Sequence, residues 1–473
     1  MDINIGALII VIAYLVGMLV IGAVVGKLKI KNSEDYMVAG RRMGLFMVAF
    51  SLSANNIGGG STTGLAGKAF TTWGMSAIWY VLAASVAMIP LAFFAPKIRK
   101  TLAVTIPEVI GRRYGKASST FSAVLNIIAL FCLTSSQIAA SGAVVATLTG
   151  IPLNVCLLIA GIVVILYTTL GGMIADQISD MVQFIIIFVG LAIATPFVIK
   201  GCGGWQAISA KLPGGQLDPF KIGWVPIVGY IFNYFCTFLS GPEMISRFES
   251  AKDEKTAFRA SLLSGVLMAA MSAFPTILGL AALAVMPEVA SGQAMMAVTE
   301  AHAPIFITGL VSAAIISATM SSADSNLLCM STMVMNDIYK PYAKKELSDS
   351  KTIFYTRVCN VIFCAIAMCI SFFGVNIVTM NTFAFAIRCA GPFAAYGFGM
   401  IIPRATKHSG QISIITGTIG VVIWQILSGG DFYLGILPVV FGCAVGVLTF
   451  FIVNFVEWKM NVEPAPSAYL DEE

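Results

Sequence analysis

Charge is what this chain has least of. Of its 473 residues only 11% are Asp, Glu, Lys or Arg, against 58% hydrophobic residues, and its mean hydropathy is +0.90. Soluble domains carry about 25% charged residues, so an ordinary water-soluble fold is excluded and the chain reads as a polytopic membrane protein. Histidine is nearly missing: only His302 and His408 occur, both at helix ends or loops, and there is no HExxH, GxSxG or phosphate-binding loop. An intramembrane enzyme is thereby left without its usual acid–base apparatus, and no organic cofactor is expected. The net charge of +5 comes from short basic loops between apolar runs rather than from a basic stripe, which argues against nucleic acid and for a topology signal. The ten cysteines show no CxxC spacing and sit mostly in apolar runs, so they suggest neither a disulfide framework nor a metal or redox site. The first 27 residues lack both a basic start and a small-residue cleavage site, and read as a first span rather than a leader.

What is abundant is apolar sequence in lengths that match a bilayer. Runs of about twenty residues predict thirteen membrane helices with cores near 5–26, 44–70, 75–95, 118–144, 149–170, 180–199, 223–241, 260–285, 303–334, 354–375, 379–402, 411–428 and 433–455. No separate soluble domain is expected: residues 1–456 form one transmembrane unit and 457–473 a short tail. With the N-terminus outside, all Lys and Arg fall on the cytoplasmic side except Lys68, Lys200, Lys211, Lys221 and Arg388. That bias predicts a multi-pass plasma-membrane protein with its C-terminus in the cytoplasm.

Against this background the polar insertions stand out. SLSANNIGGGSTTGLAG (51–67) interrupts the second span with two asparagines and three consecutive glycines, which oppose a continuous helix in lipid. A buried break of this kind frees carbonyls for a cation and N–H groups for an anionic solute; packing glycines are the rival reading. Asp324, in SATMSSADSNLL, and Arg388, in FAFAIRCAGPFAAYG, are costly inside spans, at about 2.5–3.5 kcal/mol each on insertion scales. Ala318, Ser321, Ser322 and Ser325 recur three or four residues apart on one helical face, an oxygen-rich arrangement suited to an alkali cation; helix-gluing serines are the alternative. Asp180 lies near an expected helix end, where the helix dipole alone would favour it. Glu243 is four residues before Arg247 and is expected to pair with it. From these residues the chain reads as a secondary transporter.

The order and spacing of DYMVAGRRMG (35–44), ANNIGGGSTTGLAG (54–67), TIPEVIGRRYG (105–115), YTTLGGMIADQISDMVQ (167–183), GPEMISRF (241–248) and SATMSSADSNLLCMSTMVMNDIY (317–339) resemble the sodium:solute symporter family of proline, pantothenate, sialic acid and glucose carriers. The resemblance implies an all-α LeuT-type core of five plus five inverted-repeat helices. Residues 44–199 would form the first repeat and 223–402 the second, with an extra helix at 5–26 and two more within 411–455. It implies a sodium ion held by the carbonyls of Ala54, Ile57 and Ala318 and the hydroxyls of Ser321 and Ser322. A second cation site, found in some members, maps onto Asp180, Ser321, Asp324 and Ser325. Asp324 stands there where a hydroxyl is expected, which would strengthen the site or make it proton-linked.

For the solute, the same fold implies a midplane site lined by Asn56, Gly58, Ser61, Thr62, Gln137, Asn233 and Arg388. Arg388 departs from the family's neutral pattern, and a guanidinium matches carboxylate or sulfonate. A small organic anion or zwitterion (monocarboxylate, amino acid or sulfonate) is therefore expected, imported by sodium symport. The alternatives are a structural ion pair of Arg388 with a carboxylate such as Asp324, a neutral sugar or polyol as solute, an uncoupled uniporter or channel, and a transporter-derived sensor. The partners expected are the solute and the lipid bilayer, with the chain working as a monomer.

Overall fold

The computed structural model describes residues 5–345, 347–373, 377–429 and 433–469, and among these there is no β-strand. The principal helices are α1 (Ile5–Lys29), α2 (Leu45–Asn56), α3 (Leu65–Phe70), α4 (Trp79–Lys100), α5 (Lys116–Thr149), α6 (Leu153–Gly201), α7 (Trp224–Leu239), α8 (Pro242–Ser250), α9 (Glu254–Val285), α10 (Ile305–Met333), α11 (Asp349–Ser371), α12 (Ile377–Ala390), α13 (Lys407–Ser428) and α14 (Pro438–Lys459). Among the described residues, ten stretches are long and apolar enough to cross a bilayer. The remaining three expected spans are the shorter Leu153–Leu166, α7, and the interrupted pair α2 and α3.

The interruption has a steric cause. Ile57 leaves helical geometry at φ −95, ψ 73, and its N–H turns back onto Ser53 and Ala54. A Cβ on Gly58 would lie 3.0 Å from the Ser322 hydroxyl, and one on Gly59 would lie 2.9 Å from Cβ of Ala140. Only glycine lets the broken chain approach α10 and α5 so closely. After a wide helical turn over Gly60–Gly64 the helix resumes as α3. A second break follows α7: Ser240 and Gly241 turn the chain, and Pro242 opens α8 at a position where its missing N–H costs nothing.

Residues 149–199 hold the two expected helical segments, which follow one another as α6 and are broken at Gly172, whose φ 55, ψ −172 is not helical. The bend presses against Tyr36, whose ring would lie 2.7 Å from any Cβ there. Asp176 and Asp180 lie in the first two turns after this break, near a helix start as expected for Asp180, but buried rather than solvated.

Burial runs from centre to rim. Every residue of α10 from Val311 to Met333 is buried, and this helix packs against α1, α5 and α6. A second seam joins α9 to α2, α3 and α4. At the rim Val16 and Val20 of α1, Phe354 and Ile362 of α11, and Ile415 and Ile426 of α13 are exposed, as expected for side chains that face hydrocarbon.

Candidate cation and substrate sites

Where α2 breaks, its last carbonyls meet the serines of α10. The Ser321 hydroxyl donates within reach of Ala54 O (3.0 Å) and Ala318 O (3.2 Å), and that of Ser322 within reach of Asn55 O (2.9 Å) and Ala318 O (3.3 Å). Ala54, Ala318, Ser321 and Ser322 are thus brought together as buried oxygens, and Ile57 is the buried residue at which the chain departs from α2. Carbonyls freed by an unwound helix and hydroxyls that can turn a lone pair inward are ligands of the kind a sodium ion accepts.

One turn further along α10 the chemistry changes sign. Asp176, Asp180 and Asp324 bring carboxylate oxygens within 4.8 Å of one another, all buried. Between them runs Arg247 of α8, whose Nη2 lies 2.6 Å from Asp176 and 2.9 Å from Asp180 and also meets the Ser325 hydroxyl. Its Nε donates to Ser51 (3.1 Å) and its Nη1 to the backbone oxygen of Glu243 (2.9 Å). Ser325 bridges to Asp176 Oδ1 (3.1 Å) and to Ser321 O (2.7 Å), and Asp324 accepts the Ser325 N–H at 2.8 Å. Of the residues expected at a second cation site, Asp180, Asp324 and Ser325 therefore meet around a guanidinium, while the Ser321 hydroxyl faces the α2 carbonyls instead. The expected pairing of the Glu243 and Arg247 side chains does not form: Arg247 takes only the Glu243 backbone, because the two acids of α6 claim its charge. Asp176 was legible as a position one helical turn before Asp180; Arg247 was not.

The Glu243 carboxylate turns to Arg388 instead, at 2.6 Å, with both side chains almost fully buried. The structural partner named in advance for Arg388, Asp324, is thus replaced by a residue of the second break. Both members of this pair line a cavity of about 70 Å3. Asn56, Gly58, Ser61, Gln137 and Arg388 line it as expected. Thr62 and Asn233 are not among its lining residues; Thr62 is buried with its hydroxyl 3.1 Å from Gly58 O. Gln137 holds the Gly59 N–H at 3.1 Å, so α5 fixes the unwound segment.

Sequence reasoning missed Tyr80, Tyr234, Phe238, Glu243, Asn326, Asn381 and Phe385, all of which line the cavity. The last two had a signal: Asn381 and Phe385 stand seven and three residues before Arg388, on the same helical face. Phe385 lies under the guanidinium, 5.0 Å from its ring centroid, and the rings of Tyr80 and Tyr234 meet edge to face at 6.0 Å. Lys68 stacks on Trp73 at 4.1 Å.

A broken helix with free carbonyls against a hydroxyl-bearing central helix, beside a polar cavity inside an apolar helical scaffold, defines a secondary transporter. Two solved structures share the fold: a Na+-coupled sialic acid symporter (TM-score 0.82, 22% identity, covering 97% of this chain and 98% of that one) and Mhp1, a nucleobase-cation-symport-1 family transporter (TM-score 0.61, 15% identity, covering 91% and 95%). The fold is accordingly LeuT-type, with five-plus-five core helices, one helix before and two after. The chain belongs to the sodium:solute symporter family, whose pattern matches residues 36–417. It is similar to two Bacillus subtilis (strain 168) proteins: the osmoregulated proline transporter OpuE (26% identity, covering 96% of this chain and 95% of that one) and the high-affinity proline transporter PutP (27% identity, 92% and 95%). It is a multi-pass membrane protein and a sodium-coupled symporter.

Proposed function

We propose that the chain imports a small amino-acid-like solute together with one sodium ion, held by the carbonyls of Ala54, Ile57 and Ala318 and the hydroxyls of Ser321 and Ser322. The observation that carries the reading is the contact of both serine hydroxyls with carbonyls at the α2 break, at 2.9–3.0 Å. A cation there ties α2 to α10 and so favours the conformation in which Gly58, Asn56 and Gln137 are arranged around the solute, which is coupling by differential stabilisation. With the basic ends facing the cytoplasm, the membrane potential adds about 2.3 kcal/mol per charge per 100 mV to inward sodium flow.

Support for an amino-acid-like solute comes from the proline transporters the chain resembles and from Arg388 being accompanied by Glu243. A lone guanidinium would suit a simple anion; a paired one does not. At the acidic cluster Arg247 already supplies positive charge, so Asp180, Asp324 and Ser325 serve as a latch around a tethered cation rather than as a second sodium site. The test is uptake of radiolabelled L-proline and other neutral amino acids into proteoliposomes under an inward sodium gradient. Uptake should need sodium, and Ser322→Ala should raise the half-saturating sodium concentration by about tenfold, as expected for one lost ligand interaction. Uptake that runs equally well in potassium alone overturns the proposal.

A further inference from the structure

We propose that Glu243 and Arg388 together read the charge of the solute. The cavity admits guests that carry a carboxylate and an ammonium on neighbouring atoms, such as α-amino acids, and turns away simple anions and simple cations. Binding is an exchange of partners, in which the solute carboxylate takes Arg388 and the solute ammonium takes Glu243. The inference rests on the reading of this cavity as the solute site.

Three observations carry it. First, the pair lines the cavity and is under-used: Nη1 of Arg388 meets Oε1 of Glu243 at 2.6 Å, but Nε of Arg388 and Oε2 of Glu243 are buried with no hydrogen-bond partner among the described residues. A guanidinium offers five donors and a carboxylate about four acceptor sites, so one shared bond leaves capacity on both sides. Unmade bonds of buried charged groups are costly, and a ligand that makes them recovers that cost. Secondly, the pair sums to zero, and the other polar groups lining the cavity, Asn55, Asn56, Gln137, Asn326 and Asn381 among them, are neutral. A simple anion drawn to Arg388 would strand the Glu243 carboxylate, and a simple cation drawn to Glu243 would strand Arg388. A zwitterion strands neither, because four charges then alternate in sign; rejection of the wrong guest comes from the repulsive partner. Thirdly, Phe385 lies under the guanidinium at 5.0 Å and holds its plane while the carboxylate partner changes.

The test uses the purified full-length protein in detergent with sodium. Thermal unfolding is measured with three pools of equal concentration: neutral α-amino acids including L-proline, the matching amines including pyrrolidine, and the matching carboxylates including cyclopentanecarboxylate. Only the amino-acid pool should stabilise, and only with sodium. For its best member, Glu243→Gln and Arg388→Gln should each weaken binding by tenfold or more. Glu243→Gln should in addition acquire binding of the matching carboxylate, a gain that a misfolded variant cannot show. Wild-type stabilisation by amines or carboxylates equal to that by amino acids overturns the inference, as does a Glu243→Gln variant that keeps wild-type affinity and selectivity. If sodium alone stabilises and no pool adds to it, charge reading fails while the sodium site stands. If sodium has no effect, the symport reading fails with it.

Discussion

Arg247 and Arg388 are both closed off from solvent, yet they are used in opposite ways. All three nitrogens of Arg247 have partners: Ser51 on Nε, the Glu243 backbone and Ser246 on Nη1, and Asp176, Asp180 and Ser325 on Nη2. Arg388 meets one carboxylate through Nη1, keeps an Nε with no partner among the described residues and borders the cavity. A saturated buried ion is bound to the scaffold and has little left to give a ligand. An under-satisfied one beside a cavity has unspent hydrogen-bonding capacity, and that capacity is what recognition draws on. The difference separates two features that composition alone presents as equivalent, namely arginines within apolar sequence.

The strongest way to break the comparison is to remove each charge. Arg247→Met leaves Asp176 and Asp180 facing each other without their cation, a defect that for buried pairs costs about 3–5 kcal/mol. The variant should express poorly, with a large fall in the thermal unfolding midpoint in detergent; adding Asp180→Asn should restore part of it. Arg388→Gln should cost the fold much less, because Glu243 borders a polar cavity, but should reduce amino-acid binding by tenfold or more. Equal losses of stability in the two variants would erase the distinction between a latch and a reader. Ser321→Ala sharpens a third point. It removes a hydroxyl between Ala54 and Ala318, and should raise the half-saturating sodium concentration about tenfold. Solute affinity at saturating sodium should stay near wild type; a loss that sodium does not repair would place Ser321 in solute binding instead.

How far the sequence reached can be judged residue by residue. The apolar helices were legible because length and hydropathy are local properties, and the α2 break was legible because three glycines and two asparagines are concentrated in one run. The partner of the α6 acids was not. Asp180 reads as a helix-start carboxylate, and the residue that neutralises it and Asp176 lies some seventy positions later on α8. The partner of Arg388 was hidden in the same manner, since Glu243 is 145 residues away in sequence. Ser321 and Ser322 could be singled out because helical spacing from Ala318 and Ser325 groups their hydroxyls with those residues whatever packs against them. The cavity aromatics Tyr80 and Tyr234 carried no comparable pattern, being single polar-tipped rings in helices whose facing partner only the fold supplies. Local periodicity thus yields helices and donor faces, while the pairing of charges across the bundle depends on tertiary contacts that one chain's spacing does not encode.

The smallest effect expected falls on Ser325, and it decides between two uses of the acidic cluster. Its hydroxyl touches Asp176 Oδ1 at 3.1 Å, Ser321 O at 2.7 Å and Nη2 of Arg247. If the cluster is a latch, Ser325→Ala deletes one hydrogen-bonding hydroxyl while both arginine–aspartate contacts remain, and stability should fall by about 1 kcal/mol. The sodium dependence of uptake should then keep its wild-type midpoint and Hill coefficient, because no ion is lost. If instead Asp180, Asp324 and Ser325 hold a second sodium, the same variant should lower the Hill coefficient and shift the midpoint even where stability hardly changes. Sodium titration of uptake alongside thermal unfolding therefore separates the two: a change in stability alone supports the tethered guanidinium, and a change in the sodium curve removes it.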